Sequence, residues 1–419
     1  MTSRRRLSRS LLAWPLGTLV FALASCATAP VIPPIEETVP DDPGSVIAVQ
    51  PAPAPRPAVF DDLPNWDGAD LLPARKAFLR SCNRIRARSA SSAFSNRVAY
   101  AGRVEDWLSA CDAMALTMDN DGARLVFEAL FVPMEILSAD GSSRFTGYFE
   151  PEIMARRTPQ FPFTQPVPAL PGDLVQVDGS AIGGAPGETV PAQRLPNGEL
   201  RAYPPRADIA QNASGALGYA HPADVFFLQI QGSGRLTFED GTTIRAAYAA
   251  HNGQPFRSVA NWLLSEGKIA RSEATMEGIR AWMDRVPRAE AQAAMNVNPR
   301  FVFFRPLPID DPAVGPVGAE GVPLTPLGSM AVDTSIHPLG VPFFVQTTGP
   351  GLGGDWSGAL VAQDSGGAIN GRVRGDIYFG TGVVAGDRAG TQNAPGRKWA
   401  LLPRIVADRI LAQPGLPDS

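Results

Sequence analysis

The sequence predicts a mainly β protein with a helical N-terminal part, on three observations. Glycine and proline are abundant, 41 of each in 419 residues, and both end helices and make turns. From Arg144 onward the apolar segments are short, rich in β-branched and aromatic residues, and broken by Gly or Pro, which is the texture of strands. Before that point, residues 64 to about 140 place apolar side chains three and four apart, the period of a helix face.

The chain opens with Arg4, Arg5, Arg6 and Arg9, followed by an apolar run from Leu11 to Leu23. That run has the length of a signal-peptide core and is too short for a spanning helix. Leu23-Ala24-Ser25-Cys26 resembles a bacterial lipobox, in which the cysteine is acylated and becomes the first mature residue. An ordinary cleaved signal with a chance cysteine is the plainer alternative, and Arg4-Arg5 also fits a twin-arginine signal. Acyl chains on Cys26 would anchor the protein without spanning the bilayer. Ala27, in place of Asp, resembles the outer-membrane sorting pattern, so the expected location is the outer membrane, facing the periplasm. Residues 26–62 are rich in Pro and Ala, with Pro51, Pro53, Pro55 and Pro57 in alternation. Such a segment buries no core and makes an extended tether.

Within the helical part, Ala74, Phe78, Cys82 and Ile85 share one face, as do Val104, Trp107, Cys111 and Met114. Cys82 and Cys111 thus sit on apolar faces. An oxidising compartment would favour a disulfide between them; two buried thiols are the other possibility. A third helix is expected from about Arg124 to Leu130. Farther on, Leu228-Gln229-Ile230-Gln231 alternates as a half-buried strand does, ended by Gly232 and Gly234. Val259, Leu263 and Leu264 mark a helix ending near Gly267. Ser272 is the expected N-cap of another, with Met276, Ile279 and Met283 inward. Phe301–Phe304 is a strand, and residues 310 to 403 read as strands and turns. Val314–Thr325, rich in Gly and Pro, is expected to loop near a groove.

A net charge of −4 offers no basic stripe for nucleic acid. His221, His251 and His337 are far apart and no Cys/His spacing suits zinc, so neither metal nor cofactor is expected. The chemistry points instead to three aspartates, Asp333, Asp364 and Asp376, each close to a strand end or tight turn. Gly366, Gly367 and Gly375 are expected to allow close backbone approach and positive φ beside them. Cutting a glycosidic bond needs a carboxylic acid to protonate the leaving oxygen. An ordinary Asp, with a pKa of about 3.9, is ionised at neutral pH, so burial or a second carboxylate must keep it protonated. Any one of these aspartates alone reads more simply as a turn residue. Asp364-Ser365-Gly366 also resembles an aspartic-protease signature, but its candidate partner, Asp333-Thr334-Ser335, lacks the Gly and lies only 31 residues away.

The C-terminal segment resembles the three-aspartate domain. With Thr146-Gly147-Tyr148-Phe149-Glu150-Pro151, Tyr203-Pro204-Pro205-Arg206, Asp224–Gly234 and Asn298–Phe304, the chain is similar to the family of membrane-bound lytic murein transglycosylase A over residues 64 to 405. The resemblance implies a double-psi β-barrel domain from residues 63–148, with its helices, and 310–405, the three-aspartate segment covering 320–385. It implies a second β-domain inserted at 149–309, a groove between the two, and a tail at 406–419. It further implies non-hydrolytic cleavage of the MurNAc–GlcNAc β-1,4 bond of peptidoglycan, leaving 1,6-anhydromuramoyl ends, in cell-wall turnover. Asp376 matches the family's catalytic acid and Asp364 its close supporter; Asp333 is expected to shape the site. The substrate-binding candidates are Tyr148, Tyr203, Arg206, Gln229, Gln231, Ser233, Gly366 and Gly367, with the two glutamines expected on one strand face. The competing reading is a non-catalytic peptidoglycan-binding lipoprotein. The expected partners are thus glycan strands and, through the anchor, a membrane.

Overall fold

The computed structural model describes residues 55–209 and 215–412; Cys26, the apolar leader and most of the Pro/Ala segment lie outside them. After the short strand β1 (Arg56–Pro57), the helical part is built of α1 (Leu72–Arg86), α2 (Glu105–Leu116) and α3 (Asn120–Leu130). The predicted faces are the buried ones: Ala74, Phe78, Cys82 and Ile85 on α1, and Trp107, Cys111 and Met114 on α2. Cys82 and Cys111 form a disulfide where these helices pack. Helix α3 starts before Arg124 because the Asp119 carboxylate accepts from Gly122 N at 2.8 Å and caps it. The helical region also stops short of 140: Phe131–Glu135 is strand β2. Its first residue packs by ring edges and faces against Phe78, Trp107 and Phe127, tying the helices to the sheet.

The middle of the chain carries β3 (Arg144–Glu150), β4 (Glu152–Met154), β5 (Gln165–Pro168), β6 (Leu174–Asp178), β7 (Thr189–Arg194), β8 (Leu200–Ala202) and β9 (Ala216–Ala220). Next come α4 (Pro222–Gln231), β10 (Gly234–Thr237), β11 (Thr243–His251), α5 (Val259–Ser265), α6 (Met276–Arg285), α7 (Arg288–Asn296) and β12 (Val302–Leu307). The last part holds β13 (Ser329–Ala331), β14 (Pro342–Gly349), β15 (Gly354–Asp364), β16 (Arg374–Thr381), α8 (Val383–Gly390), β17 (Asn393–Ala394), β18 (Gly396–Pro403) and α9 (Arg404–Leu411).

Nine strands pair in the order β1-β2-β18-β14-β15-β13-β16-β3-β17, and no ladder among the described residues joins the two ends. A second sheet runs β12-β11-β10-β4, beside a three-stranded β6-β7-β8 and the pair β5-β9. The chain crosses from the nine-stranded sheet to the four-stranded one at Pro151, between β3 and β4.

Several elements differ from the sequence expectation. Leu228–Gln231 is the last turn of α4, not a strand. That helix buries Val225, Phe226, Phe227, Leu228 and Gln229 in succession. An element buried on most sides loses its diagnostic period, and four alternating residues are too short a window to separate the two structures. Gly232, at φ 83°, ends the helix in the left-handed conformation. The cap of α6 is Thr275, whose hydroxyl accepts from Gly278 N at 3.0 Å, while Ser272 lies in a preceding 3-10 turn. Helices α7 and α8 were not anticipated. The second is masked in sequence by Gly386, which packs so tightly that a Cβ there would lie 2.7 Å from the Phe149 ring.

Candidate active site

Strand β13 sets the geometry of the aspartates. Its Ala331 pairs with Asp364, the last residue of β15, on one side and with Asp376 of β16 on the other. Two strand spacings put the two aspartate Cα atoms roughly 10 Å apart. Strand β3 lies on the far side of β16 in parallel register, Thr146 opposite Asp376 and Tyr148 opposite Tyr378. Alternate residues of a strand share a face, so Arg374, Asp376 and Tyr378 line up beside Thr146 and Tyr148.

The hydrogen bonds follow from that register. The Thr146 hydroxyl donates to Asp376 Oδ1 at 2.5 Å and accepts from Arg374 Nη2 at 2.8 Å. The Tyr148 hydroxyl donates to Asp364 Oδ2 at 2.9 Å. Asp364 Oδ1 also accepts from Ser365 N at 2.9 Å and from Ala319 N at 3.0 Å. Ala319 belongs to the Gly/Pro-rich loop, so that loop does reach the aspartates.

Both aspartates are half-buried residues whose carboxyls are desolvated by the surrounding protein. Burial, which disfavours the charged form, pushes Asp376 above the usual carboxylate range; Arg374 and the Thr146 hydroxyl pull it partly back. Burial likewise raises Asp364, against its three hydrogen-bond donors, with the neighbouring Asp376 adding to the rise. The two differ in their partners. Asp364 has three donors suited to holding a carboxylate in place, whereas Asp376 has one hydroxyl. This arrangement can keep a carboxylic acid protonated beside a better-satisfied carboxylate.

Asp333 is placed differently. Its carboxylate accepts from Ser335 N at 3.0 Å, Ser335 Oγ at 2.6 Å and Gly371 N at 2.8 Å. It ties the turn after β13 to the loop before β16.

The remaining candidates separate into those at the aspartates and those in the interior. Tyr148 is at the site. Gly366 and Gly367 are exposed on the loop after Asp364. Neither they nor Gly375 has positive φ; they are needed for space. A Cβ on Gly367 would lie 3.1 Å from the Arg300 guanidinium carbon, and one on Gly375 would meet Met330 and Phe145. Gln229 and Gln231 do not share a strand face, since they are neighbours in a helix. Gln229 is buried, accepting from Arg206 Nη1 at 2.5 Å and donating to Val302 O at 2.9 Å. Gln231 accepts from Phe149 N at 3.2 Å.

Arg206 is buried as well. Its guanidinium lies 5.1 Å from the Phe226 and Phe301 ring centres and bonds Asn298 O and Arg300 O. Burial lowers its pKa to about 9. Arg206, Gln229 and the Val302 carbonyl thus form a polar joint inside the second sheet region. Ser233, just after α4, is buried as well. Tyr203 is buried against Phe303 and donates to Asp173. It also lines a cavity of about 440 Å³ with Asp173, Gln193, Arg201 and Asp208. None of the three aspartates lines that cavity.

Sequence reading missed Thr146, Arg374 and Ala319 as partners of the aspartates. Thr146 stood in a segment already singled out, but only the β3–β16 register reveals which carboxyl it serves.

Residues 144–305 match the family described as MltA specific insert domain, and residues 328–402 match the 3D domain. Membrane-bound lytic murein transglycosylase A of Escherichia coli (strain K12) is 34% identical over 272 residues. That alignment spans 62% of this chain and 66% of the relative, just under two thirds of its length. Among solved structures, a membrane-bound lytic murein transglycosylase from Agrobacterium tumefaciens superposes with a TM-score of 0.73 at 28% identity, covering 85% of this chain and 99% of that one. The lytic transglycosylase LtgG of Burkholderia pseudomallei gives 0.54 at 35% identity, covering 84% and 100%.

Proposed function

The chain belongs to the family of membrane-bound lytic murein transglycosylase A, and from that premise we propose that it is a lytic transglycosylase cutting the glycan strands of peptidoglycan. The observation that carries the reading is the desolvated Asp376, held by one hydroxyl on the same sheet as a second, better-satisfied aspartate.

In this reading Asp376, protonated, gives its proton to the oxygen linking MurNAc C1 to GlcNAc C4 as that bond breaks. The C6 hydroxyl of the same muramoyl residue closes on C1, and its proton passes to the Asp376 carboxylate. The acid is regenerated, no water is consumed, and a 1,6-anhydromuramoyl end is left. The nucleophile is already tethered to the reacting ring, so no second base is needed. Asp364, fixed by Tyr148 and two backbone N–H groups, supplies negative charge for the oxocarbenium-like state. Asp333 holds the loops that frame the two.

The architecture in this reading is a double-psi barrel from residues 63–148 and 310–405, with 149–309 inserted and a substrate groove between. The pairing of the run Asn393–Pro403 supports it: Asn393 and Ala394 ladder with β3, and Gly396–Ala400 with β14. Attachment is read as acylation of Cys26, outside the described residues, at the periplasmic face of the outer membrane, where the enzyme would serve wall turnover. No helix among the described residues is long and apolar enough to cross a membrane. Labelled palmitate should enter the wild-type protein and not Cys26→Ala.

The decisive experiment is digestion of purified murein followed by mass spectrometry. Anhydromuropeptides are expected, and they should vanish with Asp376→Asn. Reducing ends carrying water would make the enzyme a hydrolase; binding without any product would leave a wall-binding lipoprotein.

A further inference from the structure

On the insert side of the aspartates stands an arginine whose charge is unmatched. Arg300 follows the Asn298 turn, its backbone N–H donating to Asn298 Oδ1 and its carbonyl accepting from the buried Arg206. Its side chain makes one long hydrogen bond, Nη1 to Gln254 O at 3.3 Å, and no ion pair among the described residues. The guanidinium rests over Gly367, three residues after Asp364, in the space that a side chain there would occupy. Tyr248, 43% exposed at a bulge in β11, lies within electrostatic reach of both Arg300 and Asp364. His251 is beside them; its Nδ1 accepts from Gly253 N, so Nε2 carries the proton. Burial and Arg300 lower its pKa to about 4, so it adds no charge at neutral pH.

A half-buried guanidinium without a counter-charge is costly to keep. Its planar fork is suited to a carboxylate. If the substrate is peptidoglycan, its anionic groups all hang from the muramoyl residue: the lactyl carboxylate where the peptide has been removed, or the peptide's own carboxylates where it remains.

We propose that Arg300, with Tyr248 and His251 beside it, is a docking site for a carboxylate carried by the muramoyl substituent, placed next to Asp364 by the close fit of Arg300 over Gly367. This inference rests on the peptidoglycan reading.

The test measures affinity in the full chain carrying Asp376→Asn, so that nothing is cut. Three glycans are compared by calorimetry: strands stripped of peptide, which expose lactyl carboxylates; peptide-bearing strands; and chitohexaose, which has no carboxylate. Adding Arg300→Gln should weaken one or both charged glycans roughly tenfold or more and leave chitohexaose within about twofold. A loss confined to stripped strands identifies the lactyl group, and one confined to peptide-bearing strands the peptide. Arg300→Lys, keeping the charge without the fork, should lose less. With Arg300 intact, added salt should weaken the charged glycans more than chitohexaose, a readout independent of how the variants fold. Equal losses on all three glycans, or none on either charged one, overturn the proposal. If chitohexaose binds and the carboxylates make no difference, this site alone fails. If no glycan binds, the peptidoglycan reading fails and takes the site with it.

Discussion

Glu150 and Asp376 are enclosed carboxyls on neighbouring strands, yet their surroundings are opposite. Glu150, at the end of β3, is fully buried and accepts from Arg235 Nε at 3.0 Å, Arg245 Nε at 2.6 Å and the Thr381 hydroxyl at 2.8 Å. The two arginines also donate to Pro312 O and Val314 O at 2.7 Å each, fastening the start of the loop that reaches Asp364. Asp376 has a single hydroxyl, and the nearby Arg374 bonds that hydroxyl, not the carboxylate. A buried charge that is fully paired joins elements of the fold. One enclosed with few partners has its protonation left open, and that is what acid–base chemistry requires.

The comparison can be broken first at Asp376, the member proposed to react. Asp376→Asn should lower turnover of murein by roughly 10²–10⁴-fold while leaving the melting temperature unchanged or higher. The sign follows from the raised folded-state pKa. The stability contributed by the bound proton is complete below the unfolded carboxyl value and is lost as pH rises through the folded one. Removing the ionisable group removes that loss at neutral pH. An Asn variant that melts well below wild type would show Asp376 to be structural.

Glu150→Ala should do the reverse, costing about 3–5 kcal/mol in denaturant unfolding because two buried arginines lose their shared partner. A small stability change would mean the joint is not what fastens the loop. Gln229→Ala sharpens the next distinction. It should cost about 1–3 kcal/mol by leaving Arg206 and the Val302 carbonyl short of a partner, with KM for murein unchanged in the folded enzyme. A selective rise in KM would restore a sugar-binding role.

The smallest effect is expected at Thr146→Val. Its hydroxyl favours the charged form of Asp376, so its loss should move the alkaline fall of the pH–rate profile to higher pH. The maximal rate should stay within about tenfold of wild type. A shift to lower pH would contradict the hydrogen bond.

Local signals were legible where one residue type had one physical use. The faces of α1 and α2 were readable because bulky apolar residues recur at helix spacing, and they brought Cys82 and Cys111 together. Helix α4 was not readable. Burial around most of its surface removed the period, and a chance alternation in its last turn resembled a strand. Helix α8 was hidden by a glycine that packs closely against Phe149. At the site, three aspartates in apolar, Gly-punctuated segments announced a cluster of acids, but not which of them would be satisfied.

The sequence by itself determined the helical start, the β texture beyond Arg144 and the family, and it singled out Asp364 and Asp376 as candidates, because composition, spacing and motif are properties of neighbours along the chain. Only the tertiary structure decided that Asp333 is tied into its loops, that Gln229 and Arg206 face the interior, and that Thr146 and Tyr148 each serve a different aspartate. The physical reason is that strand register, burial and pairing depend on residues hundreds of positions apart. Those long-range contacts, not the identity of a carboxyl, set whether it is paired with arginines or enclosed with few partners.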